Sequence, residues 1–323
     1  MRSSPTLRAL LVVALASSVA ACSATQKTSL LGVRSDAATL EQSSLEYALR
    51  GDLPRALALE EQALLAYRSV DDTAAVTGAL NRVGNLRQRT GDSDGARAAY
   101  LEAQNLASVT GNRGEEAAAR SNLGTLYEES GDLASADAQY QAARALAEGG
   151  DVDATLATIL NNQALLARRR GDPQQAIALF QAALKIDRKL GNEAGEANRL
   201  RNLGAVYAAV GRQADAIASL NEALEIDRRR ENIPEIALDL ATSSEINARD
   251  AATLPLAINQ RRRAADIHRL LGRDAALQRD EAAIAGWCAR VRAEQGAGAL
   301  PVECLPASVP AAVSAADAAQ APR

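Results

Sequence analysis

The chain has 323 residues, 47 % of them hydrophobic, 24 % charged and only 2 % aromatic, with a formal net charge of −4. So little Phe and Trp argues against a thick β-sandwich or a large ligand-binding barrel, whose cores lean on bulky rings, and 21 glycines with 9 prolines are too few for an all-β chain of tight turns. The mild acidic excess leaves no basic footprint for nucleic acid, while abundant alanine, the best helix former, favours an all-helical chain.

Residues 1–21 read as a targeting segment. Arg2 and Arg8 supply a positive start, and Ala9 to Ala21 is an apolar stretch interrupted only by Ser17 and Ser18. That stretch falls short of the roughly 20 residues needed to span a bilayer, so it reads as a signal peptide outside the fold. Val19-Ala20-Ala21-Cys22 resembles the lipobox of bacterial lipoproteins, which implies lipidation of Cys22. Ser23 follows, and an aspartate there commonly holds Gram-negative lipoproteins at the inner membrane; the resemblance therefore implies the periplasmic face of the outer membrane. Ordinary cleavage after Ala21, leaving Cys22 as a free thiol, is the alternative. Residues 22–35 are expected to form a tether.

The next feature is a repeat. Gly51, Gly91, Gly131, Gly171 and Gly211 are spaced by 40, and Asp follows the first four. Ala56, Ala96, Ala136, Ala176 and Ala216 stand five residues beyond each glycine, and Ala63, Ala103, Ala143, Ala183 and Ala223 twelve beyond. Intervals of three and four, as in Ala136, Tyr140 and Ala143, place these residues on one helix face. Each period therefore reads as helix, tight turn, helix. Gly84, Gly124, Ala164 and Gly204 recur at one place, where small side chains are expected to let neighbouring backbones approach. The units are expected at about 36–70, 71–110, 111–150, 151–190, 191–230 and 231–272, the last shifted by one extra residue at Ala257 and Ala264.

The frame Asn122-Leu123-Gly124, Tyr127, Gly131-Asp132, then Ala136, Tyr140 and Ala143, resembles a tetratricopeptide repeat, and its period resembles the longer variant of kinesin light chain. The resemblance implies a right-handed α-solenoid of about six units over residues 36–272. It also implies a concave groove, lined by the first helix of each unit, that holds peptides or partner helices. Asn122, Asn162 and Asn202 stand at one place in successive units, and the family's peptide-binding members use such amides on an extended main chain. Arg82 takes the equivalent place one unit earlier, and Asn81, Asn85 and Arg89 are expected on the same wall, the arginines favouring an acidic partner residue. These amides have two open roles, contact with a ligand or structure.

Asp274 to Ala293 reads as a cap helix with Leu277, Ile284, Trp287, Cys288 and Val291 on one side, within a segment 273–293. Trp287 is either a core contact or a ligand-stacking ring. Residues 294–323 are expected to be a mostly disordered tail. In an oxidising compartment Cys288 and Cys304 would pair and pin the chain back onto the cap helix; two free thiols are the alternative.

Chemistry is sparse. One histidine, His268, rules out paired-histidine metal motifs, and a surface or helix-packing role is expected for it. No glycine-rich loop follows a strand, so no nucleotide cofactor is expected, and no metal site is expected either. Arg168, Arg169 and Arg170 end a helix, favourably for its dipole or for phosphate. The leading expectation is a non-enzymatic, lipid-anchored scaffold for a protein or peptide partner in envelope assembly, pilus or secretion machinery. The alternatives are an envelope enzyme subunit working through Glu115, Glu116 or Glu128, and self-association through the solenoid ends.

Overall fold

The computed structural model describes residues 29–148 and 153–295, together with Pro301 and Cys304. The signal peptide, Cys22 and nearly all of the tail lie outside them. Among the described residues the chain forms thirteen α-helices and no strand. They are α1 Leu30–Leu49, α2 Leu53–Ser69, α3 Thr73–Arg89, α4 Ser93–Thr110, α5 Arg113–Glu129, α6 Leu133–Ala147 and α7 Asp153–Arg169. Then follow α8 Pro173–Leu190, α9 Glu193–Ala209, α10 Gln213–Arg229, α11 Ile233–Asn247, α12 Leu254–Leu270 and α13 Asp274–Gln295. Two compact units divide the chain at Leu146 and Ala147. In each, successive helices pack together, α6 meeting α5 through Tyr140 on Gly124 and Thr125, and the first helices of successive hairpins also touch: α3 on α5 in the first unit, α9 on α11 in the second.

The turns follow from residue chemistry. Gly51, Gly91, Gly131, Gly171 and Gly211 take φ between +78° and +87°, the left-handed region in which a Cβ is strained. Asp52, Asp92 and Asp172 then accept the backbone N–H three residues on, supplying partners to otherwise orphaned donors of the next helix. A second comb of left-handed residues, offset by 20 from the first, joins one hairpin to the next: Asp71, Gly111, Gly191 and Glu231. Asp71 and Glu231 hold this conformation with φ of +53° and +52° despite their side chains.

The ten repeated alanines are all 0 % exposed, and Ala257 and Ala264 join them. The extra residue of the sixth hairpin falls in the turn between Asn247 and Leu254, so α12 keeps the face it presents. The role of the small residues differs from the expectation. A Cβ on Gly124 would lie 2.6 Å from the ring of Tyr140, one on Gly84 would strike Tyr100, and one on Gly204 would come within 2.7 Å of Leu220. A large side chain from the second helix fills the missing volume, more than the opposing backbone does. This wedge is the buried centre of each middle hairpin.

Two boundaries move. The helix begins at Leu30, inside the expected tether 22–35, because Ser29 Oγ accepts the Gly32 N–H and caps α1. The cap helix runs Asp274–Gln295, two residues past its expected end.

Candidate functional site

The wedge position recurs every 40 residues as Tyr100, Tyr140, Phe180 and Leu220, all buried. In the first hairpin the same place holds Glu60, 1 % exposed, and the facing glycine position holds Ser44. A carboxylate here lacks the bulk of a ring, and a cavity of about 500 Å³ opens above it between α1 and α3. Ala38, Leu45, Ala48 and Leu86 give it apolar walls. Leu45 is 61 % exposed at its edge.

The polar groups around the cavity are held by the protein itself. Arg82 donates Nε to Glu60 at 2.7 Å and also meets Glu41. Burial pushes the Glu60 carboxyl up to about 7, with the Ser44 hydroxyl pulling the other way, and burial lowers Arg82. Arg89 reaches across to the Ala48 carbonyl at 3.3 Å, and Asn85 accepts from the Tyr100 hydroxyl at 2.6 Å. Three of the seven groove residues expected from the sequence, Arg82, Asn85 and Arg89, therefore meet in one cavity.

The other four are placed differently. Asn81 is buried and donates to Glu115 Oε2 at 2.8 Å, tying α3 to α5. Asn202 donates to Asn161 Oδ1 at 3.1 Å, tying α9 to α7, and Asn161 donates to Asn162. Asn122 is half-buried and has no side-chain hydrogen bond among the described residues. Asn81 and Asn202 thus link neighbouring hairpins, whereas the contact of Asn162 with Asn161 stays within α7. Arg82 likewise spends its charge on Glu60 and Glu41 instead of presenting it to an acidic partner residue.

The acidic residues considered for catalysis do not converge. Glu115 binds Asn81, Glu116 pairs with Arg120 at 2.8 Å, and Glu128 accepts from Tyr140 at the far end of the same helix. Twelve or so residues of α-helix separate the two ends, roughly 18 Å.

Buried charge is concentrated in the second unit, a feature the sequence did not announce. Arg201 bonds Asp239 at 2.5 Å and both Asp227 and Glu235 at 2.8 Å. Burial pushes Asp239 up to about 6 against the pull of Arg201. At the chain's end Arg261 takes the wedge position, shifted by the extra residue, and pairs with Glu245 and Asp280. His268 meets Asp280 at 2.6 Å, a helix-packing role, and Trp287 packs against the last core cluster with Arg261 over its ring. Cys288 and Cys304 are joined in a disulfide, their Cα atoms 5.5 Å apart.

Solved structures share this architecture. BtubC from P. vanneervenii aligns with a TM-score of 0.50 and 21 % identity, over 78 % of this chain and 92 % of that one. A chain of the APC/C hetero-tetramer Cut9–Hcn1 gives 0.58 and 21 %, over 79 % of this chain and 46 % of its own. A Rap protein complexed with Competence and Sporulation Factor gives 0.59 and 10 %, over 80 % and 77 %. At these identities the likeness is one of fold. No curated protein sequence matches the chain. The tetratricopeptide repeat family matches at residues 75–149 and 155–229, two stretches that each hold two of the helical hairpins just described.

Proposed function

We propose that the protein is a lipid-anchored scaffold of the bacterial envelope. It takes an apolar side chain of a protein or peptide partner into the cavity between α1 and α3. The observation that carries this reading is the cavity itself: about 500 Å³ with aliphatic walls, edged by the exposed Leu45, on the first helices of two neighbouring hairpins. Apolar pockets with a few fixed polar groups are the usual form of a binding site. The charge of Arg82 on its rim is already paired with Glu41 and Glu60, so a partner gains little by charge and more by burying an aliphatic anchor. The similar structure of a Rap protein complexed with Competence and Sporulation Factor supports a ligand-holding role for the fold. The lipobox-like Val19-Ala20-Ala21-Cys22 supports an anchor that confines the encounter to a membrane surface and raises effective concentration.

A photo-crosslinking residue at Leu45 in living cells tests the groove. A partner captured there should be lost when Ala48→Arg fills the cavity, and a probe at the exposed Val109 should not capture it. Equal capture from both positions, or capture that survives Ala48→Arg, overturns the reading. Fatty-acid labelling that is abolished by Cys22→Ser tests the anchor separately.

A further inference from the structure

The last hairpin and the cap helix enclose a second cavity, of about 600 Å³, which the scaffold reading does not use. Its three lining carboxylates are already held. Glu235 is taken by Arg201 at 2.8 Å, Glu245 by Arg261 at 2.7 Å, and Asp280 by both Arg261 and His268. Its cations are not all spent in return. Arg273 and Arg279 line the same cavity, both exposed, and neither has an acidic partner among the described residues.

Two buried polar side chains with capacity to spare line the same cavity. His268 is 8 % exposed and gives Nδ1 to Asp280, leaving Nε2 without a protein partner among the described residues. Arg261 is 6 % exposed and its Nε has no hydrogen-bond partner. Buried polar groups are normally satisfied; the unpaired Arg261 Nε, with the open Nε2 of His268 and two unpaired guanidiniums lining one cavity, points to an anion. Planar guanidiniums suit bidentate contact with carboxylate or phosphate oxygens.

We propose that this cavity binds an anionic group, carboxylate or phosphate, held by Arg273 and Arg279 at the mouth with the Nε2 edge of His268 below. The cavity is polar, with guanidiniums exposed at its edge, and its occupant is a small anion or the free carboxyl end of a peptide.

The single histidine makes the test direct, because its ring Hε1 gives one isolated proton signal. The full chain is titrated at fixed pH and constant ionic strength with inorganic phosphate, with triglycine, and with triglycine amide. A saturable shift of the His268 signal with phosphate or triglycine, and none with the amide, is expected. Whichever of the two anions saturates names the source. The double variant Arg273→Gln and Arg279→Gln alters only exposed side chains, and it should weaken binding by about tenfold or more while leaving the helical circular dichroism unchanged. Absence of a saturable shift with both anions overturns the proposal. So does a shift that triglycine amide reproduces, or one that persists with undiminished affinity in the double variant. Crosslinking at Leu45 is unaffected by any of these results, so the two sites stand or fall separately.

Discussion

The middle and end hairpins solve the same packing problem with opposite materials. Hairpins two to five place Tyr100, Tyr140, Phe180 or Leu220 at the buried wedge, against a glycine or alanine of the first helix. The first and sixth place Glu60 and Arg261 there, each buried and each tied to opposite charge. A ring fills space by shape alone, whereas a buried ion must also be neutralised and hydrogen-bonded. The end hairpins accordingly carry ion pairs where the middle ones carry volume, and a cavity lies beside each of these buried charges. Regularity marks the load-sharing core of a repeat array; departures from it mark where a site can be built.

This contrast can be broken most forcefully at the wedge itself. Tyr140→Ala should cost about 3–5 kcal/mol in urea unfolding, because a ring is removed from a space that Gly124 cannot refill. A loss below about 1 kcal/mol would mean that the hairpins do not depend on the wedge. Arg201→Met should cost about 3 kcal/mol or more at neutral pH by stranding Asp227 and Asp239, and acidification should recover part of it as Asp239, already raised by burial, takes up a proton. Cys304→Ala should cost roughly 3 kcal/mol by the loop-closure argument. Hydrogen exchange should report that loss over α12 and α13 and leave α7 to α9 unchanged.

A pH titration sharpens the comparison at Glu60. Its folded pKa, about 7, lies above the ordinary 4.5, so the folded state binds the proton more tightly than the unfolded chain does. Stability from this group is then fully present below 4.5 and is lost as pH rises to about 7. Glu60→Gln should flatten that decline. The smallest expected effect is at a turn, where Asp92→Ala removes the cap of α4 and should cost about 1 kcal/mol in thermal unfolding.

Much of the fold was legible because glycine and alanine have few other reasons to recur. Left-handed turns need glycine, and close-packed helix faces need alanine, so the 40-residue comb transmits geometry directly. The second comb was not legible, since Asp71 and Glu231 adopt the same backbone without the telltale residue. Nor were the roles of Asn81, Arg82 and Asn202. A polar residue on the first helix reads as groove-facing from spacing alone, and only the position of Glu115, Glu60 or Asn161 across the interface turns it inward. The cavity at Glu60 was hidden for a similar reason: one acidic residue among many carries no mark of burial until the ring that should replace it is aligned by structure.

The widened turn between Asn247 and Leu254 has an evolutionary consequence. One inserted residue inside an α-helix would rotate everything downstream by about 100° and ruin the buried face. Placed in that connector, the insertion left Ala257 and Ala264 sealed. Gene duplication and slippage can therefore lengthen such a chain by whole periods, or by single codons at its joints, without scrambling the surfaces that later acquire ligands.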